Sequence, residues 1–221
     1  MYIYVTVTRT PSVVGKMIRG VLHNEYNHMS ISLNKDLSAL YSFGRVSIKN
    51  FITAGFIRES YYTLSLGGAS PVNLCVFRIP VTRKQYEEVR NFIRDVMYDS
   101  DGYLYNLADA LGTVFRKPIR VNKCYTCIEF CKDALHYAGI KAAKDIRSER
   151  TLDGVRQKLA QYIVYEGEYK AYPGVFLTRT ATDMRFMEKR GFYAEVKHTA
   201  GFVGKFAKRV YVSRLNWLTF Y

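Results

Sequence analysis

This 221-residue chain is short of acids and of long apolar runs. It carries 19 aspartates and glutamates against 33 lysines and arginines, with only four cysteines and four histidines. No apolar run reaches the ~18 residues that would span a bilayer, so no transmembrane segment is expected. The start, Met1-Tyr2-Ile3-Tyr4-Val5-Thr6-Val7, alternates like a strand and lacks a basic leader, so no signal peptide is expected and the default address is cytoplasmic. Cysteines in that setting are free thiols. Internal repeats, low-complexity tracts, helix-turn-helix, zinc-finger and RNA-binding signatures are all missing.

What is present reads as globular. Hydrophobic residues make up 48% and charged residues 24%, and 19 Tyr with 13 Phe argue against disorder. The length suffices for one sizeable core or one domain with an extension. The net charge of +14 favours an acidic partner such as nucleic acid or an anionic membrane surface. From residue 178 onward nine Lys or Arg face three acids, which makes this the most basic part of the chain.

Local patterns place the elements. Residues 2–8 form an alternating strand. Ser12 can cap a helix to about Leu22. His28–Leu33 and Ala39–Phe43 read as a hairpin around Asn34-Lys35-Asp36. Leu74–Ile79 is another strand. Thr82-Arg83-Lys84-Gln85 is a capping box that opens a helix to about Met97. Further helices are expected over 105–114, from Thr126 to Ala138 with Gly139 as its stop, and over 151–160. Tyr162–Tyr165 and Arg209–Val212 look β-like.

Two motifs carry chemistry. His28 opens an apolar strand, and Cys124-Tyr125-Thr126-Cys127-Ile128-Glu129-Phe130-Cys131 opens a helix about a hundred residues later. A thiol at a helix N-terminus meets partial positive charge and free N–H groups, and a neighbouring imidazole can take its proton. Cys127, just after the capping Thr126, is the best-placed nucleophile. Cys124 precedes the helix and Cys131 lies a turn inside it. His28 is the preferred base, because His23 sits in a loop, His136 lies nine residues past Cys127 on the same helix, and His198 belongs to the basic tail. The Cys127 backbone N–H can face a developing oxyanion. Glu129 reads as a first-turn acid that complements the helix dipole, and Arg45 as a solvated strand-end residue or a carboxylate binder.

The segments Tyr26–Ile31, Tyr41–Arg45 and Asn122–Phe130, in that order, resemble the circularly permuted branch of the NlpC-type papain-like cysteine hydrolases, which is similar to the lecithin:retinol acyltransferase group. The resemblance covers residues 1–142. It implies an α+β fold in which an antiparallel sheet packs against the cysteine helix, with residues 143–221 as a basic C-terminal extension packed on or following that core. It implies hydrolysis of an amide or ester, or acyl transfer, on a peptide, lipid or other acyl substrate, with Cys127 as nucleophile, His28 as base and no cofactor. A third polar residue on the strand after the histidine orients the imidazole in that family. Ser42 holds the corresponding place here, and a backbone carbonyl is the alternative. Two other readings stay open. Cys124, Cys127, Cys131 and Cys75 could hold a metal, and the fold could be a non-catalytic scaffold whose basic C-terminal region binds an anionic surface or nucleic acid.

Overall fold

The structure, a computed structural model, describes every residue except 13–14, 17–18, 21–22, 51, 110–120, 175–176, 190 and 219–221, and the side chains of 101 and 214–218. Its centre is an antiparallel six-stranded sheet. The strands are β1 (Tyr2–Arg9), β2 (His28–Ser32), β3 (Leu40–Arg45), β4 (Ala54–Glu59), β5 (Asn73–Pro80) and β8 (Ile163–Glu168), in the order β4-β3-β2-β1-β5-β8. The hairpin of β2 and β3 turns through Asn34–Leu37, where the Leu37 N–H donates to the Asn34 carbonyl and Leu37 takes a positive φ of 54°.

Alternation along the strands divides the apolar residues between two clusters. Ile3, Val5, Val7, Met29, Ile31, Phe43, Cys75, Phe77 and Ile79 belong to the larger one. Tyr4, Leu40, Leu74 and Val76, their strand neighbours, belong to the other, with Tyr169 and Tyr172. Two helices cover the larger cluster. The first is α2 (Arg83–Tyr98), opened by the Thr82–Gln85 capping box and burying Val89, Ile93 and Val96. The second is α3 (Cys127–Tyr137), which buries Phe130, Cys131, Ala134 and Leu135. Gly139 closes α3 at φ +60°, a conformation that favours glycine. A short helix, α1 (Tyr61–Leu64), follows β4 behind a Ser60 capping box.

The core does not stop at residue 142. Ala142 and Ala143 of α4 (Lys141–Asp145) join the larger cluster, as do Ile146 beyond it and Leu152 and Val155 of α5 (Leu152–Lys158). β8 closes the sheet edge against β5, from Asn73↔Glu168 to Phe77↔Ile163. The extension expected over 143–221 therefore begins as part of the sheet and core, and the stretch beyond Tyr172 still buries Asp183 and Phe186. That remainder holds α6 (Ala181–Met187) and α7 (Phe192–Leu218). The β-like stretch Arg209–Val212 is helical, within α7. Its β-branched residues are overruled by packing: Phe202, Phe206 and Val210 recur at helical spacing and share one cluster with Leu104, Val121 and Cys124.

The helix expected over 105–114 does not begin at Tyr105, which lies in a short strand; residues 107–109 are helical and 110–114 lie outside the described residues, as does part of the helix from Ser12 to Leu22. Ser12 does act as a cap, its hydroxyl accepting from the Gly15 N–H at 2.9 Å. Among the described residues no helix is long and apolar enough to cross a membrane.

Candidate active site

The nucleophile end is built by a clamp. Two short parallel strands, β6 (Leu104–Tyr105) and β7 (Cys124–Tyr125), pair directly before α3. Tyr125 stacks on Tyr103 and packs against Phe43 and Phe130, so the entry to the helix is held on both sides. Thr126 then caps α3. Its hydroxyl accepts from the Glu129 N–H, and the Glu129 carboxylate accepts from the Thr126 N–H at 3.1 Å. Glu129 thus has the first-turn role expected of it. Cys127 is the first helical residue, and its N–H belongs to the end groups of a helix that have no intrahelical acceptor. The sulfur and that N–H share the positive end of the helix dipole.

The base is positioned from the other side of the molecule. The Asp153 carboxylate of α5 accepts from the N–H groups of Glu25 and Tyr26 at 2.8 and 3.2 Å. The Asn27 N–H donates to the Thr8 carbonyl at 3.0 Å, and the Asn27 side chain accepts from the Thr10 N–H. These bonds fix the approach to His28, which opens β2 with its side chain 12% exposed.

The Nε2 of His28 lies 2.9 Å from Oε2 of Glu59, at the end of β4. The helix that carries Cys127 packs on β2, and the Cys127 side chain is near enough to act on the imidazole. Glu59 is 6% exposed and its Oε2 also accepts from the Ser30 hydroxyl at 2.7 Å. Burial alone disfavours a charged imidazole, but the Glu59 carboxylate and the neighbouring Cys127 outweigh it and raise its pKa from 6.5 to about 10. The arrangement therefore favours an imidazolium beside the Glu59 carboxylate.

Glycine at position 44 makes room for the pair. A Cβ there would stand 3.3 Å from Cε1 of His28 and 3.4 Å from Oε1 of Glu59. The first distance is tighter than ordinary side-chain contact and the second is ordinary, so any larger residue pushes on the imidazole.

The four cysteines separate by environment. Burial pushes Cys124 and Cys131 up, and it pushes Cys75 up to about 12. Cys124 packs with Phe202 and lies near Arg209, and Cys75 lies on β5 near Glu166 and Arg156. Among the described residues no three His, Cys, Asp or Glu side chains converge as a metal-holding group, so the sequence spacing of the cysteines is not matched by a cage. Burial first, and then Cys127 and Asp109, push the Tyr105 hydroxyl up.

Ser42, which the resemblance puts in the orienting place, makes a different bond. Its hydroxyl is fully buried and donates to the Met29 carbonyl at 2.6 Å, while the imidazole is held by Glu59. Sequence reasoning passed over Glu59 because β4 itself was not recognised. The signal was a carboxylate at the end of the apolar Phe56-Ile57 pair, just ahead of the capping Ser60. Arg45 is partly buried, with its guanidinium over the Phe186 ring at 6.0 Å. His23, His136 and His198 are exposed.

Comparison of the chain with protein-family models, with characterised proteins and with solved structures gives no match.

Proposed function

We propose that this protein is a papain-like cysteine hydrolase of the circularly permuted NlpC type, acting on an amide or ester through a thioester. The observation that carries this reading is the His28–Glu59 pair on the sheet face where the cysteine helix packs, with the Cys127 sulfur on the first residue of that capped helix. A structural cysteine has no need of an imidazole, and a structural histidine has no need of both a buried carboxylate and a thiol.

The steps follow from that arrangement. His28 holds the thiol proton, leaving a thiolate on Cys127. The sulfur forms a bond to the acyl carbon, and the carbonyl oxygen becomes an oxyanion facing the Cys127 N–H. The C–N or C–O bond breaks as the imidazolium returns its proton to the leaving amine or alcohol. The neutral imidazole then takes a proton from water, whose oxygen attacks the thioester. The C–S bond breaks, the acid departs, and the thiolate and imidazolium are restored. An alcohol or amine in place of water gives acyl transfer by the same route. Glu59 keeps the ring oriented and the imidazolium stable throughout. The buried carboxylate takes the orienting role that the resemblance gave to Ser42.

The test is labelling of the purified protein by a thiol-reactive probe across pH. Labelling is expected to persist well below the ~8.5 of a free thiol. It is expected to vanish in Cys127→Ala, to survive in Cys124→Ala, and to require high pH in His28→Ala. Thiols that label alike whether or not His28 is present would overturn the reading.

A further inference from the structure

The longest helix, α7, touches the body along one narrow seam. Among the described side chains its half-buried and buried positions are Glu195, Thr199, Phe202, Phe206, Arg209, Val210 and Ser213, which follow helical spacing. Asn50 donates to Oε1 of Glu195 and to the Thr199 hydroxyl, and Arg209 donates to the carbonyls of Lys123 and Gly102. The remaining circumference is bare, and it is divided by chemistry.

Beside the seam runs an apolar row. Phe192, Val196 and Val203, spaced by four and seven, are 78%, 51% and 48% exposed. Tyr193 and Tyr211, 88% and 66% exposed, border this row five turns apart on one side of the helix. The next sector is basic: Lys197 and Lys208 stand three turns apart, with Lys205 beyond them, all exposed. The one acid between Phe192 and Ser213 is Glu195, which lies in the seam. A bare apolar row bordered by tyrosines and then lysines is the pattern of a helix that lies in a membrane interface, its apolar side among the acyl chains and its lysines at the head groups. A second copy of the chain is a poorer occupant, because each copy brings a net charge of +14 to the same contact.

We propose that α7 docks this protein on the surface of an anionic phospholipid bilayer, with the Phe192–Val196–Val203 row inserted and Lys197, Lys205 and Lys208 facing the lipid phosphates. This goes beyond the hydrolase reading and does not depend on it. Its consequence for the site is positional: α7 packs on Leu104 and Cys124, the strands that deliver Cys127, so a docked helix fixes that end of the molecule relative to the membrane.

The test is co-sedimentation of the full chain with phosphatidylcholine vesicles with and without phosphatidylglycerol. Binding to the anionic vesicles and loss of that binding at high salt are expected. Val196→Asp with Val203→Asp abolishes it. Lys197→Gln, Lys205→Gln and Lys208→Gln each weaken it about fivefold, from the ~1 kcal/mol that a basic residue contributes near an anionic surface. These positions are exposed, and unchanged melting temperature and Cys127 labelling of the variants show that the fold is kept. Absence of binding overturns the proposal, as does equal binding by the Val196/Val203 variant. Self-association in solution that the same variant abolishes, without vesicle binding, assigns the row to a second copy and also overturns it.

Discussion

Replacing Glu59 by glutamine probes the candidate site without emptying it. The amide is nearly isosteric with the carboxylate and keeps an oxygen that can accept from His28 Nε2 and from the Ser30 hydroxyl, at 2.9 and 2.7 Å in the native protein. What is lost is the charge. The rise of His28 from 6.5 to about 10 corresponds to an imidazolium favoured by on the order of 5 kcal/mol, shared between Glu59 and Cys127. An opposite charge at this range moves a titrating group by ~1–3 pH units. In Glu59→Gln the imidazolium is less stable, so it supports the thiolate less well, and the acid limb of Cys127 labelling moves upward by about one pH unit or more. The assay is the second-order rate of alkylation against pH, read beside that of Ser42→Ala. Ser42→Ala removes a buried bond to the Met29 carbonyl, at a cost of ~1 kcal/mol in stability, and is expected to leave the labelling profile in place. A Glu59→Gln profile that superimposes on the native one, with Ser42→Ala shifted instead, refutes the assignment of the carboxylate as the positioning residue.

Three further outcomes follow from the same geometry. His28 has its pKa raised on folding, so its charge stabilises the fold fully below about 6.5, and that contribution is lost as pH rises through about 10. The melting-temperature gap between native protein and His28→Gln is expected to narrow over that window, and a gap that widens contradicts the buried ion pair. Gly44→Ala sets a Cβ 3.3 Å from the imidazole, so it is expected to lower the labelling rate at neutral pH with little effect on secondary structure by circular dichroism. An unchanged rate would show that the pair has room to spare. Phe130 is fully buried among Phe43, Phe56, Phe92 and Tyr125, and Phe130→Ala is expected to cost ~3–5 kcal/mol in chemical denaturation, with a smaller loss indicating that the aromatic cluster can collapse into the void.

The parts of this molecule that were legible in its sequence are those set by local physics. Strict alternation marked β1, the Asn34–Asp36 turn marked the β2–β3 hairpin, and the Thr82–Gln85 capping box and the capping Thr126 marked the starts of α2 and α3 to within a residue. The cysteine and histidine could be paired because a helix N-terminus and a strand start each leave a recognisable signature. The third member could not. Glu59 lies 31 positions from His28 on a strand that contains a glycine and shows only a weak apolar pattern, and its role depends on how two strands cross in space. Arg209–Val212 failed for the converse reason: β-branched residues there follow a local preference that tertiary packing on Leu104 and Val121 overrides.

The boundary expected at residue 142 shows the same division more sharply. Composition turns basic toward the C-terminus, which suggests an appendage, but charge is a surface property and says little about where a core ends. Asp153, eleven residues past that boundary, holds the backbone of Glu25 and Tyr26 just ahead of His28. The Tyr26 hydroxyl donates to Glu166 on β8, which Arg156 also engages. These bonds cross 127 to 140 positions of sequence, so no window of neighbouring residues contains both ends. The residues that orient the imidazole from outside are thus supplied by the stretch the sequence pattern assigned to an extension. Cutting the chain at 142 would remove the β8 edge, the α5 carboxylate and the core side chains Ile146, Leu152 and Val155 together. The part that holds Cys127, His28 and Glu59 in place therefore runs from Met1 past Tyr172, with Asp183 of α6 accepting from Ser60 next to Glu59 and α7 bracing the segment that enters the cysteine helix.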